Sequence, residues 1–167
     1  MKDIRKIKLI NILKIMGIKS ISDIKPKSEE DSNDFILEDK FELRLKIQKL
    51  IFFLKKIDKD LDYPYSMYIH GPYSPQLADD YFSITDDEIN NVENNLDENE
   101  IKMVEYLNNK DPLWLEIAST LKFLIDMNYN DEEAINKVIV LKNDILNANN
   151  KDSQYIKQIL QEIKEIG

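Results

Sequence analysis

The stretch EDKFELRLKIQKLIFFLKKI, residues 38–57, decides the fold of this chain. Its apolar side chains recur at helical spacing, at Phe41, Leu45, Ile47, Leu50, Ile51, Leu54 and Ile57. Phe52 and Phe53 extend the apolar face nearly all the way round the second half. Because a helix that is apolar on most sides needs protein contacts on most sides, the pattern predicts a buried central helix.

Further helices are predicted on both sides of the central one. Apolar spacing and capping residues indicate helices over 3–16, from Pro75, from Thr85, and over 98–109, 112–127, 131–146 and 152–165. Trp114 is the only Trp, and its helical spacing to Ile117 and Leu121 predicts that it lies in the core. The predicted fold is mainly α: a compact helical domain of about six to seven helices with a small β-ribbon near residues 63–72.

The chain divides into three parts by composition. Residues 1–18 form a basic amphipathic helix that ends at Gly17, residues 19–36 form a polar linker, and residues 37–167 form the helical domain. Such a linker would allow the first helix to pack on a second copy as well as on its own chain. A homodimer is therefore one hypothesis for the assembly.

The segment YPYSMYIHGPYS, residues 63–74, differs from the helical remainder. Its Tyr, Met and Ile residues favour extended structure, which predicts one strand near residues 65–70. Gly71 permits an unusual backbone angle and Pro72 fixes a turn. The pair Ser74-Pro75 then begins a helix, since Ser is a good N-cap and Pro suits the first helical position.

The same segment carries groups that catalysis could use. His70 is a candidate general base, Ser74 a candidate nucleophile, and Asp79 or Asp80 could orient the His. However, Ser74 already serves as the helix cap, and two adjacent Asp residues on a helix point about 100° apart. We therefore predict no catalytic residue, no metal and no cofactor, and keep an enzyme as the third hypothesis.

Composition excludes several classes of site. The 167 residues include no Cys and one His, which rules out disulfides, Cys-based metal sites and His-rich metal sites. The longest apolar stretch, LIFFL at residues 50–54, is too short to cross a bilayer. Lys8 and Lys14 interrupt the apolar part of the N-terminus, which is unlike a signal peptide. We predict a cytoplasmic protein with no membrane partner.

Charge is distributed unevenly along the chain. The net charge is −9, with +4 over residues 1–60 and −13 over residues 61–167. An acidic chain is not a typical nucleic-acid binder, but the basic end offers an alternative function. In that alternative, a winged-helix-like arrangement binds phosphates through Lys2, Arg5, Lys6 and Lys8. The simpler interpretation is that the basic end neutralises the acidic body, within the chain or between subunits.

Three stretches together carry a resemblance to a known family. KIQKLIFFL (46–54), YIHGPYSPQLADD (68–80) and LWLEIASTLKFL (113–124) are similar to the Panacea domain group and its archaeal and bacterial relatives. The likeness covers roughly residues 40–146. It departs from the family at Lys142-Asn143, where relatives tend to have Lys-Pro.

The resemblance implies a helical, antitoxin-like regulatory protein that binds an unknown, toxin-like or regulatory protein partner. It brings no catalytic residues. The recognition surface that it implies comprises Gln48, Lys49, Tyr68, His70, Gly71, Tyr73 and Ser74. A Tyr-rich turn is also a good contact surface on physical grounds. The predicted function is accordingly a non-catalytic protein–protein interaction module.

Overall fold

A computed structural model describes residues 3–26 and 34–166 of the chain. Within these residues it contains nine α-helices, two short 3₁₀ turns and one two-stranded antiparallel sheet. The helices are α1 (Ile4–Ile15), α2 (Asp34–Leu54), α3 (Pro75–Phe82), α4 (Asp86–Asn91), α5 (Glu98–Asn108), α6 (Pro112–Asp126), α7 (Asp131–Leu141), α8 (Asn143–Ala148) and α9 (Ser153–Ile166). The strands are β1 (Ser66–Tyr68) and β2 (Gly71–Tyr73). The predicted class, mainly α with a small β-ribbon, is confirmed.

Helices α2 and α6 form the centre of the fold. Every side chain from residue 47 to residue 54 of α2 is buried, as the all-round apolar pattern predicted. Helix α6 packs against α2 and buries every residue from 114 to 122. Trp114 is 6% exposed, so its predicted place in the core is confirmed.

The N-terminal helix packs on the body of its own chain. Leu9, Ile12 and Leu13 are fully buried, and α1 contacts α3, α4 and α5. Gly17 ends this segment with a φ of +89°, a backbone angle that glycine adopts without strain.

Part of the predicted linker is fixed to the same body. Its described residues include a 3₁₀ turn, Ile21–Asp23, whose Ser20 hydroxyl and Ile21 N–H donate to Asp86 at the start of α4. Residues 27–33 of the predicted linker lie outside the described residues. Helix α2 begins at Asp34, before the end of the predicted linker.

Local capping signals are confirmed where they were predicted. Ser74 accepts the Leu77 N–H ahead of Pro75, and Thr85 forms a capping box with Glu88. A helix N-terminus leaves backbone N–H groups without partners, and these side chains satisfy some of them. Short-range chemistry therefore sets where α3 and α4 begin.

Two predicted boundaries are wrong. The helix predicted over 131–146 is two helices, because the backbone breaks at Lys142 (φ −115°, ψ 19°), whose side chain turns inward. Pro72 lies within β2 and not in a turn; the turn is formed by Ile69 and His70. Pro72 pairs with Met67 between the pairs Ser66–Tyr73 and Tyr68–Gly71, at a position where the ladder needs no N–H.

Candidate functional site

Gln48 anchors the end of the β-hairpin, residues 66–73, to the central helix. Its side-chain oxygen accepts the Ser74 N–H at 2.8 Å, and its side-chain nitrogen donates to the Ser74 carbonyl at 3.0 Å. These are the bonds that a neighbouring strand would otherwise make. Gln48 is 1% exposed and Ser74 fully buried, so water cannot replace either bond. Gln48 therefore fixes where the chain leaves β2.

Two buried lysines hold the rest of the hairpin. Lys49 Nζ donates to the Pro72 carbonyl at 2.6 Å, and Lys142 Nζ donates to the Ile69 carbonyl at 2.7 Å. Glu116, on α6, pairs with Lys142 Nζ at 3.1 Å. Burial lowers the pKa of Lys49 to about 7, although the negative charge of Glu116 acts to raise it. The hairpin backbone is thus held from α2 and from the break between α7 and α8, and α6 contributes the acid that pairs with Lys142.

Gly71 lets the hairpin approach α6 closely. Its φ is +91°, and a Cβ at this position would lie 2.9 Å from Thr120 Oγ1 and 3.4 Å from Lys49 Nζ. Both facts exclude an ordinary side chain without rearrangement. Three residues of the Gly-Pro-Tyr-Ser sequence thus have structural roles: Gly71 packs closely against α6, Pro72 occupies a ladder position that needs no N–H, and Ser74 caps α3.

A groove of about 360 Å³, the hairpin groove, lies between the hairpin, α2 and α3. Helix α2 contributes residues spaced three or four apart, which therefore lie on one face. The lining residues are Phe41, Arg44, Leu45, Gln48 and Lys49 from α2, Tyr68, Ile69, His70, Gly71 and Tyr73 from the hairpin, and Tyr81 and Phe82 from α3. Burial raises the pKa of Tyr81 to about 12, so its hydroxyl stays neutral. The groove is aromatic, with basic groups among the rings.

The rings of the groove pack edge to face. Tyr68 and Tyr73 have ring centroids 5.2 Å apart, and Phe41 and His70 have centroids 5.1 Å apart. His70 also donates from Nδ1 to Glu116 at 3.2 Å, since a carboxylate oxygen can only accept. The His70 ring is thus oriented both by an aromatic neighbour and by a buried acid.

The structure divides the predicted recognition residues into two groups. Gln48, Lys49, Gly71 and Ser74 are buried and hold the backbone of the hairpin. Tyr68 and His70 are exposed, and Tyr73 is half-buried. The second group alone presents side chains that a partner can reach without displacing the hairpin.

The groups considered for catalysis have separate partners. Ser74 caps α3, His70 bonds Glu116, and Asp80 accepts the Tyr63 hydroxyl at 2.6 Å. Asp79 is exposed. Among the side chains that the structure describes, in residues 3–26 and 39–166, no three His, Asp or Glu cluster as metal ligands would.

Three basic residues of the N-terminal helix pair with acids of the same chain. The pairs are Arg5–Asp80 (3.4 Å), Lys6–Glu88 (3.1 Å), Lys8–Asp58 (2.6 Å) and Lys8–Asp60 (2.9 Å). Lys2, the fourth nucleic-acid candidate, lies outside the described residues. Neutralisation of the acidic body by the basic end therefore takes place within one chain.

Sequence reasoning missed two residues of the buried network. Glu116 is an acid in the middle of the most apolar helix, and Lys142 is a lysine inside a predicted amphipathic helix. The signal for Glu116 was available, because an isolated acid on a buried face requires a partner. Lys142 could not be paired with it in advance, since its inward direction depends on the break between α7 and α8.

No known family model, curated protein or solved structure matches this chain. No helix in the described part of the chain is both long enough and apolar enough to span a membrane.

Proposed function

We propose that this protein is a non-catalytic regulatory module that binds a protein partner, and that the hairpin groove is the binding surface. The observation that carries the proposal is the combination of reachable aromatic side chains with a backbone held by buried bonds. Gln48, Lys49 and Lys142 fix the hairpin from beneath, while Tyr68 and His70 face outward. A surface that is already ordered loses little conformational entropy on binding.

The composition of the groove also supports protein binding. Tyr and Arg are enriched in protein interfaces, and most of the binding energy usually comes from a few such residues. Tyr68, Tyr73 and Arg44 all line the groove. The antitoxin-like part of the proposal, with a toxin-like partner in the cytoplasm, rests on the likeness of residues 40–146 to the Panacea domain group.

The first test compares Tyr68→Ala with Tyr129→Ala, a half-buried tyrosine away from the groove. Tagged wild-type protein is used to capture partners from its native cytoplasm, and the partner is then purified and titrated against each variant. We expect Tyr68→Ala to weaken the affinity at least tenfold and Tyr129→Ala to leave it within twofold. Circular dichroism checks that both variants fold.

Two results would overturn the proposal. The groove is not the surface if the partner binds Tyr68→Ala as tightly as it binds the wild type. The interaction function itself fails if only nucleic acid co-purifies, which would favour the basic N-terminal helix. The antitoxin-like part is tested separately, by asking whether co-expression of the wild type, but not of Tyr68→Ala, relieves growth arrest caused by the partner.

A further inference from the structure

The hairpin groove carries a positive charge although the protein is acidic. The formal net charge is −9, yet the guanidinium of Arg44 lines the groove, and no Asp or Glu among the described side chains does so. At physiological salt, charges are screened over about 8 Å. A ligand in the groove therefore responds to Arg44 more strongly than to acids elsewhere on the surface. The buried Glu116 lies 3.2 Å from His70 Nδ1, but its charge is already opposed by Lys142 Nζ at 3.1 Å.

Arg44 is the group best placed to bind an anion. Its Nη1 donates to the Ile24 carbonyl at 2.7 Å, which holds the guanidinium at the wall of the groove. A guanidinium has five N–H donors, and this bond uses one of them. Held guanidinium groups bind carboxylates through two parallel hydrogen bonds, and this geometry is specific as well as strong.

The rest of the groove suits an aromatic or large apolar side chain. Its walls include the edge-to-face pairs Tyr68–Tyr73 and Phe41–His70. A further ring packs well against such surfaces. The volume of about 360 Å³ lies near the lower end of the roughly 300–1,000 Å³ typical of ligand sites. The groove therefore has room for an anchoring side chain and its neighbours, and not for a folded element.

We propose that the hairpin groove binds an acidic segment of the partner protein. An aromatic side chain of that segment sits among the rings, and a neighbouring Asp or Glu carboxylate pairs with Arg44. This inference rests on the proposed function and adds the chemistry of the partner to it.

The test uses three short synthetic peptides that share a central Phe. In the first the Phe is flanked by Asp, in the second by Asn and in the third by Lys. Each peptide is titrated into the full-length protein by calorimetry, and NMR spectra locate the site through the signals of Arg44 and Tyr68. We expect the Asp peptide to bind at least tenfold more tightly than the Asn peptide, and the Lys peptide to show no binding at the groove.

Protein variants then assign the effect to Arg44. Arg44→Gln should weaken binding of the Asp peptide at least tenfold. Arg44→Lys keeps the charge but not the two parallel hydrogen bonds, so its affinity should lie between those of the wild type and Arg44→Gln. Lys102→Gln removes an exposed positive charge on α5, outside the groove, and should change the affinity by less than twofold. Equal binding of the Asp and Asn peptides, or equal effects of Arg44→Gln and Lys102→Gln, would overturn the inference.

The two proposals can fail separately. If the captured partner is displaced by Tyr68→Ala but its affinity is unchanged by Arg44→Gln, the interaction module stands and the acidic chemistry is wrong. If the partner binds independently of Tyr68, the proposed function fails whatever the peptides do.

Discussion

Replacing Gln48 by Met tests whether the side chain of Gln48 holds the hairpin in place. Met has a similar length and volume but cannot bond to Ser74, so the buried Ser74 N–H loses its partner and the Ser74 carbonyl keeps only the Ala78 N–H, at 3.2 Å. The unsatisfied N–H costs about 1–3 kcal/mol, the lost bond to the carbonyl costs about 1 kcal/mol, and the added apolar burial returns about 1 kcal/mol. We therefore expect the free energy of unfolding to fall by about 1–3 kcal/mol.

The measurement is urea unfolding followed by the fluorescence of Trp114. Gln158→Met, at an exposed position of α9, is the matched control and should change the free energy of unfolding by less than about 0.5 kcal/mol. Gln48→Glu is a second variant: it keeps the acceptor for the Ser74 N–H but places an oxygen against the Ser74 carbonyl. It should be at least as destabilising as Gln48→Met.

The reasoning would be refuted by a loss of less than about 0.5 kcal/mol in Gln48→Met, because two buried bonds cannot vanish at so small a cost. A lower urea dependence without a change in midpoint would have a different meaning. It would indicate that the hairpin of the variant is already detached in the native state.

Three further predictions concern buried positions. Burial and the neighbouring Asp58 raise the pKa of Glu100 to about 7, so stability should fall as pH rises from about 4.5 to 7. Glu100→Gln should remove this fall and add about 2 kcal/mol at pH 8, measured by urea unfolding across pH. Burial lowers the pKa of Lys49 to about 7, so the unfolded chain binds the proton more tightly than the folded one. The free energy of unfolding of the wild type should therefore rise by about 3 kcal/mol from pH 7 to pH 10, and Lys49→Met should abolish this rise. Gly71→Ala should lower the free energy of unfolding by about 2–4 kcal/mol, measured by urea unfolding. Adding Thr120→Ala to this variant removes the steric clash and should restore only part of that loss, because the positive φ remains; full restoration would contradict the role of the positive φ.

Sequence alone predicted most of the helices because their determinants are local. The all-round apolar pattern of α2 and the capping signals at Ser74 and Thr85 each act within a few residues, and the structure has them as predicted. The break at Lys142 escaped prediction because no Pro or Gly marks it. It depends instead on a side chain that bonds a carbonyl distant in sequence.

The sequence singled out some residues of the candidate site but not their roles, and it missed Glu116 and Lys142. The Gly-Pro-Tyr-Ser turn and the Gln48-Lys49 pair stood out in the sequence, and the structure brings them together. Lys and Gln are usually exposed, so their burial beneath the hairpin could not be expected without tertiary contacts. The groove itself needs three elements at once, and periodicity within one helix carries no information about the other two.

The bond from Lys142 to Ile69 also sets a time at which the groove can exist. The two residues are 73 positions apart in the chain. Ribosomes add about 5–20 residues per second, so Ile69 is made roughly 4–15 s before the lysine that holds its carbonyl. A growing chain therefore carries the hairpin before it carries all of its anchors, and a partner that needs the ordered groove can bind only after Lys142 has been made.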